Sequence, residues 1–175
     1  MLNITRYNYP SITTNLIRRV VKDVDKLYED KIIKPHAVTQ TLDIIFNEKS
    51  LHWNKDWKVL RDTFLNSINQ HHGTNFNNYK AWVYASFPGT SVVGSLWHTH
   101  PYSRFSGVMY LTLPKDIYDQ VCYTTEFMEK DNRVTMLEPV LGSWFVFDSH
   151  YLHRPGFWDY ENMKSTRYCL AASVW

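Results

Sequence analysis

Cysteine is nearly absent. The 175 residues include only Cys122 and Cys169, 47 positions apart and with no CxxC pairing, so neither a disulfide framework nor a thiolate zinc site is indicated. That scarcity predicts a reducing, cytoplasmic setting. No stretch approaches the ~18 apolar residues of a membrane span, and Met1 to Pro10 has neither the basic start nor the apolar core of a signal peptide. A soluble, unexported protein is expected. Neither sign of charge dominates: nineteen Lys and Arg stand against seventeen Asp and Glu, a net +2, which falls short of the basic footprint of a dedicated nucleic-acid binder. Glycine is also scarce, at six residues.

What is abundant is aromatic surface. Seven Trp, twelve Tyr and nine Phe make up 16% of the chain, and such side chains supply large buried contacts and line clefts. With 44% hydrophobic and 21% charged residues, the composition suits one globular domain over 1–175 that buries roughly 70% of its unfolded surface. No internal repeat, low-complexity tract or linker divides it.

The first part, 1–75, reads as helical support. From Thr13 or Thr14 as N-cap, Leu16, Ile17, Val20, Val21, Val24, Leu27 and Tyr28 form an apolar stripe, with Arg18, Arg19, Lys22, Asp23, Lys26 and Glu29 outside it. That predicts a helix ending near Lys31. A second helix is expected over Asp56–Gln70, with Trp57, Leu60, Phe64 and Ile68 at helical spacing, Asn54 near its start and His71-His72-Gly73 closing it. From 76 to 175 the period changes to two. Tyr79–Phe87, Val92–Trp97, Gly107–Leu113, Trp144–Asp148 and Tyr168–Val174 are short β-branched or aromatic runs between turn residues. They predict a sandwich or barrel, with Lys115–Arg133 as a variable insertion.

Three features of this β part carry chemistry. In Trp97-His98-Thr99-His100-Pro101, strand alternation puts both imidazoles on one face and Pro101 ends the strand. Two neutral imidazoles so spaced can chelate one metal ion. Gly142 through His153 reads as a strand running into a histidine-bearing turn, which can supply a third ligand. Arg167 opens the largely apolar last strand, where a guanidinium needs an anionic partner, either a ligand or an acid such as Asp148 or Glu138.

His98 and His100, then His153 53 residues later and Arg167 14 after that, together resemble the Fe(II)- and 2-oxoglutarate-dependent oxygenases. The similarity is to the compact prokaryotic and phage-borne branch related to prolyl hydroxylases, whose members would work in a host cytoplasm. It extends from Phe87-Pro88-Gly89 to the end of the chain, through His98–Ser103, Ser106–Leu111, Gly142–His153 and Arg167.

The resemblance implies a double-stranded β-helix, or jelly roll, with N-terminal supporting helices. It implies Fe(II), the co-substrate 2-oxoglutarate and O2, and hydroxylation of a peptide or small molecule, a peptidyl or free amino acid being the first expectation. His98 matches the first histidine of the family's HxD/E motif and His153 the distal histidine, with His150 as an alternative. Arg167 matches the base that takes the far carboxylate of 2-oxoglutarate, and Tyr110 sits where a hydroxyl often joins it. The departure is His100, where the family has Asp or Glu. His100 itself ligates, or Asp148 or another acid does, or water or halide fills the position. Candidate substrate walls are Trp82, Tyr84, Trp97, Tyr102, Arg104, Phe105, Tyr151 and Trp158. Two other readings use the same residues: a cupin, although Pro101–Phe105 lacks that family's glutamate, and a non-catalytic binding module.

Overall fold

The computed structural model describes residues 2–30, 40–41, 48–50, 53–86, 97–113, 124–156 and 165–175. Helix α1, Thr14–Glu29, begins where Thr13 accepts the Leu16 N–H at 3.2 Å, satisfying one of the donors that every helix start leaves over. Its stripe of Leu16, Ile17, Val20, Val24 and Leu27 is buried. Helix α2, Lys55–His72, starts on Asn54, whose side chain accepts from Asp56 and Trp57, and stops at Gly73, which takes the left-handed conformation at φ 60°. Trp57, Leu60, Phe64 and Ile68 are fully buried. Arg19 on α1 grips Asp56 on α2 with two hydrogen bonds of 2.7 and 2.8 Å.

The rest is mainly β. The strands are β1 (Ile4–Tyr7), β2 (Gln40–Thr41), β3 (Tyr79–Ser86), β4 (Phe105–Tyr110), β5 (Thr125–Met128), β6 (Val134–Met136), β7 (Trp144–Asp148), β8 (His153–Pro155) and β9 (Arg167–Val174). A six-stranded sheet runs β1-β7-β4-β9-β3-β2 and a three-stranded sheet runs β6-β5-β8. Every strand pair is antiparallel.

Alternation then divides the large sheet into two working faces. Ala81, Val83, Leu170, Ala172, Val174, Trp144 and Val146 join the core under the helices, while Tyr84, Val108, Tyr110, Cys169, Phe145 and Phe147 face the small sheet and meet Phe127. α2 packs so close that a Cβ on Gly107 would lie 2.7 Å from the Phe64 ring. The space between the sheets is where the histidines gather.

Several short strands depart from the sequence reading. Residues 4–7 are a strand, because the edge of β7 offers a ladder that a four-residue segment cannot advertise by its own pattern. The part of the expected insertion that is described forms β5 and the turn leading into its partner β6. The run expected as a strand over 92–97 lies, apart from Trp97, outside the described residues, as do Cys122 and Trp158.

Candidate metal centre and its cavity

His98 and His153 are cross-strand partners. Each donates its backbone N–H to the other's carbonyl at 3.0 Å, the hydrogen-bonded kind of antiparallel pair that sends both side chains to the same face. The His100 N–H donates to the Ser149 carbonyl at 2.9 Å, which brings the second imidazole of the HxH segment over the same spot. Ring centroids lie 4.5 Å apart for His98–His153, 5.2 Å for His98–His100 and 5.1 Å for His100–His153. One ligand atom from each falls within 4.8 Å of the others. Three nitrogens bonded to one ion at about 2.1 Å lie about 3.0 to 3.6 Å from one another, so closure on a metal draws the most widely separated donors together by about 1 to 2 Å.

The donors are prepared for a cation. Nδ1 of His153 contacts the Tyr151 carbonyl at 2.7 Å; a carbonyl only accepts, so the proton sits on Nδ1 and Nε2 keeps its lone pair. Burial, and then the neighbouring imidazoles, lower the His153 pKa to about 3, although the Tyr151 bond opposes this. Burial and the adjacent His98 lower that of His100 to about 4. Both therefore remain neutral at pH 7. The unfolded chain, with imidazoles near 6.5, takes up these protons first on acidification. The stability of the metal-free chain should thus fall as pH drops from about 6.5 toward 4, and His153→Ala should flatten that slope; urea titrations across this range measure both.

Beneath the imidazoles, Ser106 Oγ bonds Ser149 Oγ at 2.7 Å and Ser173 Oγ at 2.8 Å, all three buried. This hub ties β4 and β9 to the turn that holds His100. A cavity opens from the imidazoles between the sheets, and its walls include Trp82, Thr125, Phe147, Cys169 and Arg167. Arg167 is 1% exposed and its guanidinium carbon lies 5.3 Å from the centre of the Tyr110 ring. No acidic side chain is among the described residues of this cavity.

No protein-family model and no curated protein matches the sequence. Solved structures do. A prolyl-4-hydroxylase from Pseudomonas putida superposes with a TM-score of 0.69 at 15% identity over 99% of this chain and 93% of that one. A prolyl hydroxylase from Trichoplax adhaerens, in complex with a hypoxia-inducible factor peptide, gives 0.67 at 15% identity over 98% and 83%. An auxin-oxidising dioxygenase from Arabidopsis thaliana, in binary complex with 2-oxoglutarate, gives 0.65 at 12% identity over 99% and 83%. The chain has their fold.

Within this fold the residues singled out in the sequence take the following places. His98, His100 and His153 converge, and Arg167 shares their cavity. Asp148 does not join them: its carboxylate accepts the His150 N–H at 2.9 Å and lines a separate cavity with Arg104 and Tyr151. His150 is exposed in the turn. The Tyr110 hydroxyl is engaged by Thr125, accepting its N–H at 2.8 Å and lying 3.0 Å from its Oγ1, and burial raises its pKa to about 12. Thr125 thus lines the cavity wall, with Tyr110 as its support.

Of the aromatic candidates, Trp82 and Tyr84 line the cavity, while Trp97 lies under the Arg154 guanidinium at 4.4 Å. Phe105 stacks on His72 at 3.8 Å, and the Tyr151 hydroxyl accepts the Asn3 N–H. Sequence reasoning missed Ser106, Thr125 and Cys169. Cys169 alone had a signal, two residues after Arg167 and so on the same face of β9. Among the described residues no helix is long and apolar enough to cross a membrane.

Proposed function

We propose that this protein is an Fe(II)- and 2-oxoglutarate-dependent oxygenase, a single jelly-roll domain of the compact branch related to prolyl hydroxylases, acting in the cytoplasm. His98, His100 and His153 are its iron ligands, and Arg167 takes the far carboxylate of 2-oxoglutarate. The observation that carries the reading is the convergence of three neutral imidazoles and a buried arginine in one cavity. Shared fold with hydroxylases and with a 2-oxoglutarate complex supports it.

The residues fit the groups. Three imidazoles leave coordination positions of a six-coordinate iron open and add no charge, so the metal keeps its full dipositive charge. With Arg167, this makes a cavity whose described walls are free of carboxylates favourable for a dianion. A guanidinium offers a planar two-pronged donor to a carboxylate and holds its charge in any surroundings. When bound, Fe(II) with 2-oxoglutarate activates O2 to hydroxylate a C–H bond, releasing succinate and CO2. The protein's own part is to hold the metal through Nε2 of His153 and its two partners, orient the co-substrate through Arg167 with Thr125 and Tyr110 alongside, and keep water out with Phe147, Trp82 and Tyr84. A peptidyl or free amino acid is the first substrate class to try.

Anaerobic titration with Fe(II) and then 2-oxoglutarate tests the reading. A weak visible charge-transfer band should appear only when both are present. The all-histidine donor set also suits a cupin-type metalloenzyme, which would bind Fe(II) and show no band on adding 2-oxoglutarate.

A further inference from the structure

The inward-facing side chains of β3 and β9 do not end at the metal. On β3 the row is Tyr84, Trp82, Lys80, and on β9 it is Arg167, Cys169, Ala171, Ser173, followed just past the strand by Trp175, with Trp82 paired to Ala171 and Lys80 to Ser173. The first members line the metal cavity; the last ones line an open groove, and Trp82 and His100 border both. The groove holds about 320 Å³ against about 80 Å³ for the cavity. A molecule that presents a C–H bond to the metal therefore has its room in this groove.

The walls of the groove have a definite character. Trp82 stands 5.3 Å from the His100 ring, Tyr102 is 92% exposed and Trp175 43% exposed, and all three belong to it. The turn carrying Tyr102 is fixed by the Ser103 N–H donating to the His100 carbonyl at 2.9 Å. Among the described lining residues none has an acidic side chain, and Lys80 supplies the ammonium, 5.7 Å from the centre of the Trp175 ring. Lys80 lies two residues, about 7 Å, outward from Trp82 along the strand.

We infer that the groove binds the prime substrate and that this substrate is anionic: a ring-bearing or otherwise apolar body against Trp82, Tyr102 and Trp175, with a carboxylate or phosphate on Lys80. A cationic substrate is disfavoured because the groove already holds an ammonium and, among its described residues, no acidic side chain. This rests on the oxygenase reading for the direction in which the substrate approaches; the anion preference rests on the groove itself.

The test uses the full chain loaded anaerobically with Mn(II) and 2-oxoglutarate, with retention of both measured first. Binding of 3-phenylpropionate, 3-phenylpropanol and 3-phenylpropylamine, which share one body and differ in head group, is read by tryptophan fluorescence. A charge-assisted hydrogen bond predicts roughly tenfold or greater preference for the carboxylate over the alcohol. Lys80→Met should erase that preference and Lys80→Glu should turn it toward the amine. Phenyl phosphate beside phenylacetate separates a phosphate-bearing from a carboxylate-bearing substrate. Equal binding of carboxylate and alcohol by a chain that retains Mn(II) and 2-oxoglutarate overturns the inference and leaves the oxygenase reading intact. So does a preference that survives Lys80→Met. A chain that retains neither overturns the oxygenase reading, and the three Lys80 proteins then still report on the groove.

Discussion

Replacing His153 by alanine should abolish stoichiometric Fe(II) binding and leave the chain folded. His153 brings two things to the centre. Its backbone forms the bridge with His98, and its side chain presents Nε2 with the proton fixed on Nδ1 by the Tyr151 carbonyl. The substitution keeps the bridge, because both of its hydrogen bonds are made by main-chain atoms, and removes only the donor. Loss of an outer-shell partner of a metal ligand already costs about 10- to 100-fold in affinity, so loss of the ligand itself should exceed about 100-fold. His98→Ala should behave alike, since the two are opposite halves of one pair. Anaerobic calorimetry with Fe(II) measures the loss, and circular dichroism checks the fold. Full metal occupancy in either variant would remove that residue from the centre.

The contrast between those two contributions also explains what could be read without coordinates. The HxH spacing, the late histidine and Arg167 are visible because each is a residue type in an unusual local setting. Trp144–Asp148 and Arg167–Val174 are visible as short apolar runs of aromatic and β-branched residues between turn residues, and the stripe of α1 is visible because its period repeats several times within one element. β1, β6 and β8 have four, three and three residues, too few for a period to show. They exist because a neighbouring strand offers its edge. The same is true of the centre itself: nothing local says that position 98 pairs with position 153, and that pairing decides that His153 faces His98 and His100 while His150, three residues earlier, stays in solvent. Asp148 is the acid that the resemblance offers as an alternative to His100. It faces the other cavity because its turn uses the carboxylate to cap the His150 N–H.

Arg167→Ala should raise the dissociation constant for 2-oxoglutarate at least thirtyfold while changing Fe(II) affinity little. The guanidinium opens β9 at 1% exposure, against the Tyr110 ring, and shares the cavity with the imidazoles. Removing one partner of a desolvated charge pair costs roughly 2 to 5 kcal/mol, or about 30-fold to several-thousand-fold in affinity. Because so buried a side chain leaves a void when truncated, Arg167→Met serves as the volume-matched control and Arg167→Lys keeps the charge without the two-pronged geometry. The expected order of 2-oxoglutarate affinity is wild type above Lys, and Lys above Met and Ala, with Fe(II) affinity nearly level across the four. Succinate formation, including slow turnover without a prime substrate, should follow the same order. A level 2-oxoglutarate affinity across the series would make Arg167 a structural cation of β9 and remove the feature that separates the proposed oxygenase from other metal-binding jelly rolls.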